Sequence, residues 1–472
     1  MAAVSGGAGA WYRTVWRWHF YAGLLCIPLV LWLACTGSLY LWKPQIEAMI
    51  DRPYDRLQIT APRPPHEQVA AAVRAVPGAI FQAYELPATP RSAARVMVGA
   101  GERQVRVYVH PETLAVLKAV DEDSRLMPTL FRLHGELLMG DKGSLVVELG
   151  ACWAIVMVLT GLYLWWPRGA SGAAGLLYPR LRKGKRLFWR DLHAVTGLWV
   201  SGFALFLLVS GLPWAAHWGQ YLKQVRALTG TAVAAQDWTT GRADALRVRR
   251  EADAGMRMAA AGHEAHGGMA LAAPVKSHAD AAPHADLDRL VATVAPLHLA
   301  APVLIAPPAA PGADWTARSD AANRPLRTTL TLDGASGAIL SREDFAQRHW
   351  IDRAVGYGVA AHEGQLFGLA NQLLGTATAL GLVLMSLSSA VLWWRRRPDG
   401  VLGAPVPQGA PRHRWAVLPA LALLAVMLPL LGLSALIVLI VERLVLRRIP
   451  AVRDWLGLSP QGFRATMAMP RR

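Results

Sequence analysis

Five apolar runs dominate the chain, at roughly 15–42, 144–166, 190–214, 368–394 and 415–441. Each can cross about 30 Å of hydrocarbon at about 1.5 Å rise per helical residue. Trp and Tyr crowd their ends (Trp16, Trp18, Tyr40, Trp42, Trp165, Trp166, Trp393, Trp394), as side chains with an apolar body and a polar edge do at a membrane–water interface. The runs predict an integral-membrane α-helical bundle. Composition agrees, with 53% hydrophobic and only 17% charged residues. The formal charge of +17 clusters beside the apolar runs, which reads as positive-inside flanking and not as a nucleic-acid surface.

The basic loops orient the spans. Segment 167–190 carries Arg168, Arg180, Arg182, Lys183, Lys185, Arg186 and Arg190, and segment 395–414 carries Arg395, Arg396, Arg397, Arg412 and Arg414 against Asp399 alone. Both are expected in the cytoplasm with the N-terminus, which makes 43–143 and 215–367 periplasmic. Arg13 and Arg17 precede the first run as in a signal peptide. That run is too long and ends in Leu-Trp-Lys-Pro without a cleavage site, so it reads as a retained signal anchor. The fifth run leaves two readings of the basic tail at 442–472. Either it is periplasmic, or Pro419 and Pro429 make a kinked or re-entrant hairpin that returns it to the cytoplasm.

The domain boundaries follow: a first span within 1–42, a periplasmic module at 43–143, two spans and a basic loop at 144–214, and a second module at 215–367. A fourth span at 368–394, a basic loop at 395–414 and the fifth span and tail complete the chain. In the first module, 65–76 reads as a helix and 103–109 and 114–120 as strands. In the second, 285–295 reads as a helix, and 326–332 and 337–341 as strands about the Asp333-Gly334 turn. Two small α+β modules are expected, with a flexible Ala-, Gly- and His-rich insert at about 228–284.

An internal repeat carries the chemistry. The first and third runs align with an offset of 174, which matches His19 with His193, Gly23 with Gly197, and Thr36-Gly37 with Ser210-Gly211. The second and fourth align with an offset of 228, which matches His134 with His362, Gly140 with Gly368, and Trp165-Trp166 with Trp393-Trp394. The core therefore reads as four spans in a duplicated arrangement, with one histidine pair at each membrane face. A bare zinc or copper ion needs three or four protein ligands, whereas haem iron needs only two axial imidazoles. Two b-type haems are expected, with Gly23, Gly197, Gly140 and Gly368 giving room for the macrocycles. Cys26, Cys35 and Cys152 lie in apolar runs outside any CxxCH, so covalent c-type attachment is not expected. His217 is a weaker candidate for a haem-edge or substrate contact. Glu148, an acid inside the second run, is either proton-linked or a side chain reaching for the interface.

The segments RTVWRWHFYAGL…TG, LHGELLMGDKG…GLYLWWPR, FWRDLHAVTGLW…SG and HEGQLFG…LWWRRRP resemble, in order, the PepSY-associated transmembrane proteins, which include iron-regulated inner-membrane proteins and ferric-siderophore reductases. The resemblance covers most of the chain. It implies PepSY-like periplasmic modules and a di-haem reductase that passes electrons to a periplasmic ferric chelate. It also implies that His19 with His193 ligates the cytoplasmic-side haem and His134 with His362 the periplasmic-side one. The insert departs from the family. Its Met256, Met258, His263, His266, Met269, His278 and His284 are either a neutral linker or a soft-ligand copper site, and hence a cupric reductase or copper-linked variant. A non-enzymatic, membrane-anchored regulatory protein is the third reading. With no GxGxxG motif and only short cytoplasmic loops, the electron donor is expected to be another protein, a quinol or a diffusible reductant; the remaining partner is membrane lipid, with no nucleic acid.

Overall fold

A computed structural model describes residues 6–167, 172–232, 284–308, 313–405 and 414–458. The chain divides into two compact units. Met1–Leu41, Arg132–Ala232 and Gln372–Arg472 form one, and Trp42–Phe131 with Val233–Asn371 the other.

The first unit is helical. Its long elements are α1 (Gly6–Tyr40), α5 (Asp141–Trp165), α6 (Lys185–Gly211) and α10 (Gly368–Arg396), with the shorter α7 (Ala216–Leu228) and the C-terminal part of α4 (Leu126–Glu136), which enters the unit at Arg132. Five helical stretches are long and apolar enough to cross a membrane: Gly9–Tyr40, Asp141–Trp165, Lys185–Trp214, Gly368–Arg396 and Pro429–Leu446. The first four match the runs read from the sequence. Helix α5 packs along α1, α6 and α7.

The fifth run is broken within its length. A single span at 415–441 is replaced by α11 (Leu418–Met427) and α12 (Pro429–Val441), with Leu428 extended between them at φ −130° and ψ 77°. Pro429 has no backbone N–H and disfavours helical geometry in the residue before it, so α11 stops there. The chain then doubles back: a Cβ built on Gly432 would lie 2.8 Å from that of Ala425. The carbonyls left open at the end of α11 are satisfied from α7, where Trp218 Nε1 donates to Met427 O at 2.9 Å and the Tyr221 hydroxyl to Val426 O at 3.0 Å. The tail meets the start of α1. Arg17 donates to the carbonyls of Pro405 and Gly457, the Tyr21 hydroxyl donates to Leu456 O, and Leu402 N donates to Trp455 O. The hairpin thus brings the tail to the end of the helical unit where α1 begins.

The second unit is one antiparallel sheet of eight strands in the order β4-β3-β2-β1-β5-β6-β7-β8. Strands β1 (Ile80–Glu85), β2 (Ala94–Ala100), β3 (Arg103–Val109) and β4 (Val116–Asp121) form one meander. Strands β5 (Val303–Ala306), β6 (Trp315–Ser319), β7 (Thr328–Leu332) and β8 (Ile339–Asp344) form the other. The two expected modules are thus halves of a single sheet, joined where Tyr84 pairs with Ile305 and Glu85 with Leu304. Period-2 alternation puts Val96, Val98, Val105 and Val107 into one core with Leu287, Leu290, Ile305 and Leu330, under α3 (Pro65–Ala75) and α8 (Asp286–Val294). His66 and Asp288 pair across these two helices, with Asp288 also accepting His66 N at 2.9 Å. On the opposite face Arg106 is nearly enclosed between Glu85 and Glu122. Burial opposes its charge, but the two carboxylates outweigh burial and hold the guanidinium above its ordinary range.

Candidate metal centre

The long helices of the membrane unit bring His19 and His193 together. Their ring centroids lie 6.4 Å apart with planes at 74°. An ion bonded to one nitrogen of each ring at about 2 Å separates the centroids by roughly this much. Among the described residues no three or more His, Cys, Asp or Glu gather as a bare metal site requires. Two imidazoles suffice for an ion that brings its own equatorial ligands, as haem iron does.

The hydrogen bonds fix which ring nitrogen is available. His19 Nδ1 lies 3.0 Å from Thr160 Oγ1, and that hydroxyl donates at 2.7 Å to Val156 O. Its proton is committed, so it accepts from His19 Nδ1–H. His193 Nδ1 lies 3.2 Å from Met385 O, which can only accept, with Ser388 Oγ at 3.4 Å. Both rings therefore carry the proton on Nδ1 and keep the Nε2 lone pair, the arrangement in which outer partners hold a ligating histidine. Close approach is permitted by Gly161, where a Cβ would meet His19 Cε1 at 3.2 Å.

His134 is held the same way. Its Nδ1 lies 3.0 Å from Thr36 Oγ1, which donates at 2.8 Å to Trp32 O, and a Cβ on Gly37 would come within 3.0 Å of its Cε1. The Thr36-Gly37 pair on α1 thus clasps the histidine preceding α5, while Thr160-Gly161 on α5 clasps the histidine of α1. Burial pushes the His134 imidazole down to about 4, so the ring is neutral near pH 7, the form that binds metal. His362, the last residue of α9 (Trp350–His362), belongs to the sheet unit and is half-buried there. The structure brings His19 and His193 into one site and places His134 and His362 in different units.

The glycines divide into two kinds. Gly23 and Gly197 face methionine methyls, with Met157 Cε at 3.7 Å and Met385 Cε at 3.3 Å from their Cβ positions. Gly140 and Gly368 have φ of +58° and +56° at the starts of α5 and α10 with nothing within 4 Å, so their part is to turn the backbone. Sequence reasoning missed Thr160, Met157 and their partners. The offset of 228 that relates His134 to His362 also carries Met157 to Met385 and Thr160 to Ser388, which is the signal that points to them.

Glu148 is neither a surface-seeking acid nor solvated. Its side chain is 2% exposed and accepts the backbone N–H of His217 at 3.0 Å and of Trp218 at 3.2 Å. With Ser144 Oγ accepting from Ala216 N at 3.1 Å, it caps α7 from outside. His217 itself is exposed, its Nδ1 3.9 Å from Glu148. Met256, Met258, His263, His266, Met269 and His278 of the insert lie outside the described residues; His284 packs on Phe81 in the sheet unit, ring centroids 4.9 Å apart.

No curated protein matches the chain. The family described as the PepSY-associated TM region matches residues 16–396, a stretch that begins three residues before His19 and takes in His134, His193 and His362. That stretch is well over half of a chain with five membrane-length apolar helices, and the protein is therefore a multi-pass membrane protein that belongs to the PepSY-associated TM region family.

Proposed function

We propose that the protein is a di-haem inner-membrane reductase that passes electrons across the membrane to a periplasmic metal chelate, a ferric siderophore in the first instance. The observation that carries the reading is the His19–His193 pair, with rings 6.4 Å apart and both Nδ1 protons committed to the protein. His19 and His193 would hold one haem b, and the sequence repeat assigns the other to His134 and His362. Haem b so held supplies a centre that takes up and gives away one electron at a time. Thr160 and the Met385 carbonyl keep the two rings in the ligating tautomer. In a bilayer the apolar helices that carry them would limit the access of water and competing ligands to the pair. Ferrous iron is bound less tightly than ferric iron by oxygen-rich chelators, so one electron per iron releases the metal. The electron would come from another protein, a quinol or a diffusible reductant.

Purified protein examined by pyridine haemochrome assay and reduced-minus-oxidised spectra tests this. Two b-type haems per chain are expected, with one lost in His19→Ala or His193→Ala. A wild-type protein that is folded, expressed with ample haem and yet colourless overturns the reading. With haem present, reduction of ferric and cupric chelates by the dithionite-reduced protein distinguishes iron from copper as substrate.

A further inference from the structure

Three arginines converge at the end of the membrane unit where His19 and His193 meet. Trp16 is three residues before His19 and shares its face of α1. The Arg13 Cζ lies 5.8 Å from the Trp16 ring centroid, and the Arg396 Cζ, from the end of α10, lies 5.2 Å from it. Arg186 is close enough to Arg396 for their like charges to repel. It is seven residues before His193, two turns outward on the same stripe of α6.

Four other arginines at this end have oxygen or ring partners that account for them, while Arg182 and Arg395 are exposed to solvent. Asp191 takes Arg180 and Arg190, two carbonyls take Arg17, and Arg397 lies over Trp393 and Trp394. Arg13, Arg186 and Arg396 meet no carboxylate among the described residues, and what Arg13 and Arg396 touch is the Trp16 ring. Like charges gathered without a counter-ion repel, weakly where solvent reaches them, and an anion that joins them reverses the sign of the interaction. Arg13 and Arg186 lie outward of the paired histidines by roughly 9–10 Å along their helices. That is comparable with the reach of a propionate arm from a haem iron.

We propose that Arg186 and Arg396, with Arg13 on the same tryptophan, form the receptor for the propionate carboxylates of the haem that His19 and His193 would ligate. The proposal rests on the di-haem reading. Guanidinium is suited to the task, since it stays charged and pairs with a carboxylate through two parallel N–H donors. Three cations at the carboxylate edge also favour the reduced macrocycle and so raise its midpoint potential. The same chemistry could take the phosphate of an anionic lipid headgroup, and the test separates the two.

The full chain carrying His134→Ala, which leaves the His19–His193 site to be studied alone, is depleted of haem and reloaded with haem b or with its dimethyl ester. Haem b is expected to dissociate about tenfold more slowly than the ester, within the range that outer partners of a metal site contribute. In the Arg186→Gln/Arg396→Gln variant the two rates are expected to converge and the midpoint potential to fall. Arg186→Gln alone carries the same test if the double variant does not fold, since Arg186 is exposed at the start of α6. Equal rates for the two haems in the parent, or an undiminished difference in the variant, overturn the proposal. So does a variant that loses co-purified phosphatidylglycerol while still distinguishing the ester, which assigns the cluster to a headgroup. A wild-type chain that takes up no haem fails earlier and sinks the reductase reading together with this one.

Discussion

At His19 a single hydroxyl decides what the ring can do. Thr160 Oγ1 spends its proton on Val156 O and can only receive the Nδ1 proton of His19, which leaves the Nε2 lone pair of the ring as the free one. Thr160→Val keeps the shape of the side chain and removes that acceptor. Haem affinity at this site is expected to fall 10–100-fold, read as faster transfer to a haem acceptor, while Thr160→Ser restores it. An unchanged transfer rate in the valine variant means that the tautomer is not set by Thr160. The histidines themselves could be found from the sequence, because a repeated offset singles out residues that composition does not. Their partners could not be found so easily. A threonine or serine in an apolar helix normally bonds back to its own turn, as Thr160 does to Val156, and nothing local announces that the same oxygen serves a histidine 141 residues away.

Among the elements, α7 shows a structural use for a buried acid. The carboxylate of Glu148 answers two open N–H groups at the start of α7, where the helix dipole also favours a negative charge. Glu148→Ala is expected to loosen this end by about 1 kcal/mol, or roughly fivefold faster amide exchange, confined to His217 and Trp218. Exchange that does not change at those two amides would return Glu148 to the list of acids without a structural role. The strands divide by how much of them is covered. β3 was read from the sequence at 103–109 and is found at Arg103–Val109, since its alternation of Val with Arg and Tyr survives in RVYV. β2 is buried on both faces over six of its seven residues, so it has no polar alternation to detect, and β5 is only four residues long. The joining of two modules into one sheet was beyond local reasoning altogether. It rests on Tyr84 meeting Ile305, a pairing that no period or turn signal encodes.

For the chain as a whole, the break at Pro429 decides where it ends. A straight fifth span would have left the arginines of the tail at the opposite end from the other basic loops, against the usual distribution of Lys and Arg. The hairpin of α11 and α12 removes that conflict, because Trp455–Gly457 come to the backbone of Leu402–Pro405 and to Arg17 at the start of α1. Cysteine labelling tests this with Cys26, Cys35 and Cys152 replaced by Ala. Leu181→Cys, at an exposed site before α6, and Leu458→Cys, in the tail, are expected to react together with a membrane-impermeant maleimide. Met139→Cys, at an exposed site before α5, is expected to react from the other side. With the N-terminus in the cytoplasm, Met139→Cys reacts in intact spheroplasts and the other two only after permeabilisation. Had the orientation been the reverse, the labels would exchange, but Leu181→Cys and Leu458→Cys would still behave alike. A tail cysteine that labels with Met139→Cys would mean that the chain crosses once after α10 and that Pro429 only bends it.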